Sequence, residues 1–216
     1  MISRAALALA LPFFLFGALP SAAQDTTQLR VALRGLSVGT LVIRESYGGN
    51  GVYDASSQFQ TTGVAGLVRN VKFTMQSRGR HSGSQLDPAY FIENMNTGKR
   101  KSNNEVQFTD EDGRYDPNSA MIAALADRTL EQGCKLSVNV YDGKRTNRLR
   151  IDEAGRNGDT LNCSGSFMRA RGYTQKQLSF RKGYNFTISY QRQGDRYVFR
   201  EAQADTDYGL VTLSPQ

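Results

Sequence analysis

Hydrophobic and polar positions alternate along most of the chain. Leu29, Val31 and Leu33 alternate with Gln28, Arg30 and Arg34, and Val71, Phe73 and Met75 with Asn70, Lys72, Thr74 and Gln76. Leu136, Val138 and Val140 alternate with Ser137 and Asn139, and Leu149 and Ile151 with Arg148 and Arg150. Tyr184, Phe186, Ile188 and Tyr190 alternate with Asn185, Thr187, Ser189 and Gln191. Successive side chains of a strand point to opposite faces, so this period of two predicts strands wet on one face and dry on the other. Further strands are predicted over residues 39–47, 51–61, 89–96, 101–108, 162–170 and 196–205. The joints between them are rich in Gly, Asn and Asp, as in Gly48-Gly49-Asn50-Gly51, Asn96-Thr97-Gly98, Asp142-Gly143 and Gln193-Gly194-Asp195. These residues tolerate the positive φ of hairpin turns. Strand follows turn follows strand, so neighbours are expected to be antiparallel.

One segment breaks the alternation. Asp116 can cap a helix, Pro117 suits its first turn, and an Ala-rich run follows. A short buried helix is predicted at about 117–127, with Met121, Ile122 and Leu125 as its apolar stripe. The expected fold is therefore mainly β: one strongly curved antiparallel sheet, an open or spiral β-barrel, plugged by that helix. No linker or internal repeat divides the chain after residue 23, so a single β domain is expected over residues 24–216.

The first residues read as an address. A basic start at Arg4 precedes an apolar run ending near Leu19, Pro20 breaks it, and Ser21-Ala22-Ala23 supplies small residues. This is the layout of a cleavable signal peptide, with the cut expected after Ala23. The apolar run is shorter than a bilayer requires, so no transmembrane segment is expected. The reading places the protein in the periplasm. Cys134 and Cys163, the only two cysteines, then favour a structural disulfide over a redox or metal role.

Composition adds exclusions. One His and two Cys cannot form the usual zinc site, and no metal or other cofactor is expected. Asp110, Asp112 and Gly113 resemble the start of a calcium loop, but the ligand series stops there, and a turn is the better reading. Gly35-Leu36-Ser37-Val38-Gly39 spells a nucleophile elbow. An elbow needs a helix after it, and Thr40-Leu41-Val42-Ile43 follows instead. Any triad would also depend on His81, the only histidine. A hydrolase is thus a remote alternative, and a non-enzyme is expected. The formal charge of +7 comes from basic residues spread along strands, among them Lys72, Arg78, Lys144, Arg148, Arg150, Arg169, Arg171, Lys176 and Lys182. A positive sheet face suits anionic envelope components; an exported chain has no use for nucleic acid.

A resemblance carries the reading further. Thr61-Thr62-Gly63-Val64-Ala65-Gly66-Leu67-Val68 precedes a strand, Asp116-Pro117-x-Ser119-Ala120 opens the helix, and Cys134 precedes a strand ending in Val140-Tyr141-Asp142-Gly143-Lys144-Arg145. Cys163 lies in a later strand. In that order these motifs resemble a family of exported proteobacterial proteins with a domain of unknown function, over residues 29–191. Asn162-Cys163-Ser164 departs from the family's hydrophobic–Cys–basic setting. More loosely, the chain is similar to the periplasmic carriers of the lipoprotein-localisation pathway, which implies a curved sheet around a helix and an apolar cavity.

The expected function is that of a non-catalytic envelope protein binding a lipid, lipoprotein tail or peptide in an apolar cleft. The candidate lining residues are Phe73, Met121, Leu125, Phe186, Ile188 and Tyr190; ordinary core packing is the competing account for each. The alternative function is a scaffold or assembly factor that contacts another envelope protein or polysaccharide through its basic face.

Overall fold

The computed structural model describes residues 23–63, 66, 70–98, 101–109 and 113–216. Residues 1–22 of the expected signal peptide, Asp110 and Asp112 lie outside them, as does part of the Thr61–Val68 motif. Alternation becomes one antiparallel sheet. Its first half contains β1 (Ala23–Leu33), β2 (Leu36–Tyr47), β3 (Val52–Thr61), β4 (Lys72–Ser82), β5 (Gln85–Asn96) and β6 (Lys101–Gln107). Helix α1 (Pro117–Leu125) and the two-residue β7 (Arg128–Thr129) follow. The second half contains β8 (Leu136–Tyr141), β9 (Thr146–Asn157), β10 (Thr160–Arg171), helix α2 (Gln175–Phe180), β11 (Gly183–Gln193), β12 (Arg196–Thr206) and β13 (Gly209–Pro215).

The strand order is β6-β5-β4-β3-β2-β1-β13-β12-β11-β10-β9-β8, with β7 on β12. Two meanders are therefore fused through β1 and β13, where Leu29 faces Pro215 and Val31 faces Leu213. The sheet is not closed by strand pairing: β6 and β8 are its edges. Side chains bridge the seam instead. A Cβ at Gly143 would meet Val106 Cγ2 at 2.8 Å, and the rings of Phe108 and Tyr141 meet edge-on at 6.3 Å. Tyr115 reinforces the β8 edge, forming a parallel bridge with Val140 while its hydroxyl accepts from Leu86 N–H.

Helix α1 crosses the inside. Asp116 accepts hydrogen bonds from the N–H groups of Asn118 and Ser119, and Pro117 occupies the first turn. The helix ends at Leu125, two residues before the predicted limit. Ala126 leaves helical geometry while its N–H still bonds Ile122 O, and Asp127 accepts from Phe199 N–H, drawing the chain towards β12. Its anchor is polar. The Asp116 carboxylate accepts from the Ser77 hydroxyl at 2.7 Å and from the Ser119 hydroxyl. Tyr53 Oη and Ser119 Oγ are 2.7 Å apart, Ser57 donates to Asn118, and Asn118 Nδ2 donates to Ala55 O and Ser77 Oγ. All five of Ser57, Ser77, Asp116, Asn118 and Ser119 are buried. Among the described residues no buried side-chain N or O lacks a partner, so the network avoids the cost of an unmade bond. It fixes α1 to β3 and β4, in the first half of the sheet.

At the other end of α1, the buried Arg128 guanidinium donates to Ala123 O and Ala124 O, capping the last carbonyls. The return from α1 to the sheet is tied by the disulfide between Cys134 and Cys163, whose Cα atoms are 5.7 Å apart. Closing a loop of 29 residues stabilises the fold by about 3.5 kcal/mol on the chain-entropy account.

Candidate functional site

Because α1 is bound to β3 and β4, its opposite face stands away from the second half of the sheet. That face carries Pro117, Ala120, Met121, Ala124 and Leu125, one helical stripe by i, i+3, i+4 spacing. Across from it are inward residues of β9–β13: Leu149, Phe167, Tyr184, Phe186, Ile188, Ala202, Ala204, Val211 and Leu213. Strand register brings them into rows, with Phe186 beside Ala204 and Ala204 beside Val211, then Ile188 beside Ala202 and Ala202 beside Leu213. Between helix and wall lies a cleft of about 350 Å³ whose walls are almost wholly apolar.

Small residues make this space. Ala120 and Ala124 on the helix face Ala202 and Ala204 on the sheet, and none reaches across. Gly165, inward on β10, has the ring of Phe186 lying on it; a Cβ there would sit 2.2 Å from two ring carbons. The ring can therefore flatten against the wall rather than fill the cleft. Packed interiors leave few voids larger than a water, whereas ligand clefts run from about 300 Å³ upward. The volume here falls in the second range.

The structure places four of the six candidate residues, Met121, Leu125, Phe186 and Ile188, on the walls of this cleft. The other two lie elsewhere. Phe73 stacks on Phe59 with centroids 5.5 Å apart and packs with Met75, Phe91, Val106 and Phe108. Tyr190 is fully buried, its hydroxyl donating to Ala124 O at 2.9 Å, with the Arg128 guanidinium 6.0 Å from the ring centroid. Burial pushes its phenol pKa upward, and Arg128 partly offsets this. Met121 and Leu125 are only half-buried, not among the most buried residues, because their stripe looks into the cleft; Ile122, on the packed side, is buried.

Leu125 also borders a second chamber of about 470 Å³, lined by Asp25, Thr27, Glu45, Asp127, Ile122 and Phe199 among others. Burial pushes the Glu45 carboxyl above its ordinary value, partly opposed by the hydrogen bond it accepts from Tyr47 Oη. Burial likewise raises the Tyr47 phenol, as does the bond to Glu45. Leu125 and Ile122 are the chamber's residues that the sequence singles out; its carboxylates are not among them, and Glu45 reads only as part of a strand.

The hydrolase pattern does not assemble. Ser37 sits at the start of β2, while His81 is at the far end, edge-on to Tyr47 with its ring nitrogen 3.3 Å from Gly48 O. Ten residues of extended chain separate Ser37 from Tyr47, a span of roughly 30 Å. The Arg34-Gly35 turn, with φ of 52° and 81°, leads straight into β2 and not into a helix. Among the described residues no group of three or more His, Cys, Asp or Glu is placed to hold a metal.

No protein-family model matches the chain, and no curated protein matches it. Among solved structures, it is similar to a β-barrel-like protein of the domain of unknown function DUF1849 from Brucella abortus. The identity is 8% and the TM-score 0.39, over 90% of this chain and 96% of that one.

Proposed function

We propose that the protein is an exported, non-catalytic envelope protein that holds the acyl chain of a lipid or lipoprotein between α1 and β9–β13. The observation that carries this reading is the apolar cleft of about 350 Å³, built by small residues on both walls and edged by Met121 and Leu125. An apolar cavity of this kind has no polar partners to hold ordered water, and an apolar guest gains by entering it. The disulfide suits an oxidising compartment, and the described residues hold no helix long and apolar enough to cross a membrane. Strand β1 begins at Ala23, so a cut after that residue leaves its pairing from Gln24 onward in place.

Titration with a saturated fatty-acid series tests the reading. Each added methylene buried in the cleft should tighten binding about fourfold, the equivalent of about 0.8 kcal/mol, until the cleft is full. Affinity independent of chain length, or no binding at any length, would remove the acyl-chain reading.

A further inference from the structure

The exposed hydrophobic side chains are not scattered. All five large ones among the described residues, Leu36, Met168, Phe180, Tyr208 and Leu210, belong to one rim of the barrel. Leu36 follows the β1–β2 turn, Tyr208 and Leu210 flank the start of β13, Met168 lies near the end of β10, and Phe180 is the last residue of α2 in the β10–β11 connection. Direct bonds hold these pieces together. Arg34 N–H donates to Leu210 O at 2.8 Å and its guanidinium to Tyr208 O at 3.0 Å. Arg181 pairs with Asp207, which also accepts from the Tyr184 hydroxyl at 3.2 Å. Phe180 is 75% exposed, Leu36 74% and Tyr208 65%, and large apolar side chains gathered on one exposed edge mark an interaction surface.

The same rim is basic. Residues 167–184 contain Arg169, Arg171, Lys176, Arg181 and Lys182 and no Asp or Glu. Arg169 is internal scaffolding: its guanidinium donates to Arg181 O and Gln177 O and stacks near Tyr173, and so shapes the loop. Arg171, Lys176 and Lys182 point to solvent, and exposed Lys144 joins them from the β8–β9 turn, whose backbone lies against Gly172. Of the acidic groups at this rim, Asp207 pairs with Arg181 and Asp142 accepts from Lys144 N–H and Arg145 N–H, while Asp205, across from Leu210, is exposed on the outer face of β12. Phe167 and Tyr184, the last inward pair of β10 and β11 before this connection, are walls of the apolar cleft.

We infer that this rim docks the protein on an anionic phospholipid surface, with Phe180, Tyr208 and Leu36 entering the interface and Arg171, Lys176, Lys182 and Lys144 facing the headgroups. Aromatic and aliphatic tips ringed by cations are the chemistry of an interfacial contact: apolar area enters the acyl boundary while positive charge meets lipid phosphate. The inference extends the acyl-chain reading, because it places the cleft at the membrane where such a chain would be exchanged, but vesicle binding is measured without any cleft ligand.

The test is co-sedimentation of the full exported chain with phosphatidylcholine vesicles, alone or with about one third phosphatidylglycerol. Binding should require the anionic lipid and fall with added salt. Replacing Arg171, Lys176 and Lys182 by Gln together should weaken binding to the anionic vesicles by roughly a hundredfold, at about fivefold per charge. Phe180→Ser should weaken it independently; both variants change exposed positions, and an unchanged melting curve confirms their folding. Equal binding to both vesicle types, no binding to either, or triple-variant binding like that of the parent would each overturn the inference. A protein that takes up fatty acid but ignores vesicles keeps the cleft and loses the rim. One that binds vesicles but no fatty acid keeps the rim and loses the cleft.

Discussion

Replacing Asp116 by Ala removes the centre of the network that fixes α1 to the sheet. Asp116 is fully buried and its carboxylate accepts from Asn118 N–H, Ser119 N–H, Ser119 Oγ and Ser77 Oγ. Loss of an N-cap of this kind costs about 1 kcal/mol. A buried hydroxyl left without an acceptor costs about 1–3 kcal/mol more. The Ser119 hydroxyl can turn to Tyr53, so one stranded hydroxyl rather than two is counted. The expected loss is about 2–4 kcal/mol, a large share of the stability of an ordinary domain. Urea unfolding followed by tyrosine fluorescence reads it, since the chain has no Trp. The midpoint should fall by about 1–2 M at unchanged slope. A loss under about 0.5 kcal/mol would refute the view that this network holds the helix. The effect should also depend on pH. Burial is the largest influence on the Asp116 carboxyl and raises its pKa, outweighing the four bonds that oppose it. The folded chain therefore holds this proton more tightly than the unfolded chain does. Stability from this group is greatest below the unfolded value, about 3.9, and is lost as pH rises through the folded value. The deficit of D116A relative to the parent should thus grow on going from about pH 7 to about pH 4.

Reduction of the Cys134–Cys163 bond, or Cys134→Ser, should lower stability by about 2–5 kcal/mol, read as a fall in melting temperature. Ile122→Ala should cost about 2–5 kcal/mol because it opens a cavity on the packed side of α1, whereas Leu125→Ala, half-buried at the cleft, should cost only about 1 kcal/mol; equal losses would contradict the orientation given to the helix. Gly165→Ala sets a methyl group against the Phe186 ring, so it should destabilise by about 1–3 kcal/mol and weaken fatty-acid binding as the ring swings into the cleft. Unchanged binding would show that Phe186 does not set the cleft's width.

Much of the fold was legible because half-wet strands print their burial directly into sequence. Phe186, Ile188 and Tyr190 alternate in sequence and in burial, and Asp116-Pro117 marks the helix start at its observed position. Pairing was less legible. The closure of β1 on β13 joins residues nearly the whole chain apart, and no local pattern encodes it. β13 itself places Val211 and Leu213 on one face, but Leu210 beside Val211 blurs the alternation, and the pattern does not stand out as a strand. Helix α2 was signalled, by the capping box Thr174-x-x-Gln177, and was overlooked because it is short and exposed. The buried polar network escaped for a different reason. Ser57 and Ser77 stand in phase with Tyr53, Ala55, Phe59, Phe73 and Met75, so their positions face inward, but a count of apolar residues passes over them. Period two also cannot distinguish a cleft wall from a packed core. Tyr190 and Ile188 share a face, yet only Ile188 borders the cleft, because α1 meets the sheet at Tyr190 through the Ala124 carbonyl.

Filling the cleft tests the acyl-binding account most directly. Ala204 is half-buried on its wall, opposite the helix, and Ala204→Trp occupies the space an acyl chain would use. A fluorescent fatty-acid probe is titrated into the parent and into this variant, with melting curves as the check on folding. The account predicts saturable binding to the parent and at least a tenfold loss in the variant, about 1.4 kcal/mol, with the fold retained. Binding of equal strength to both proteins would place the acyl chain outside the cleft and contradict the account.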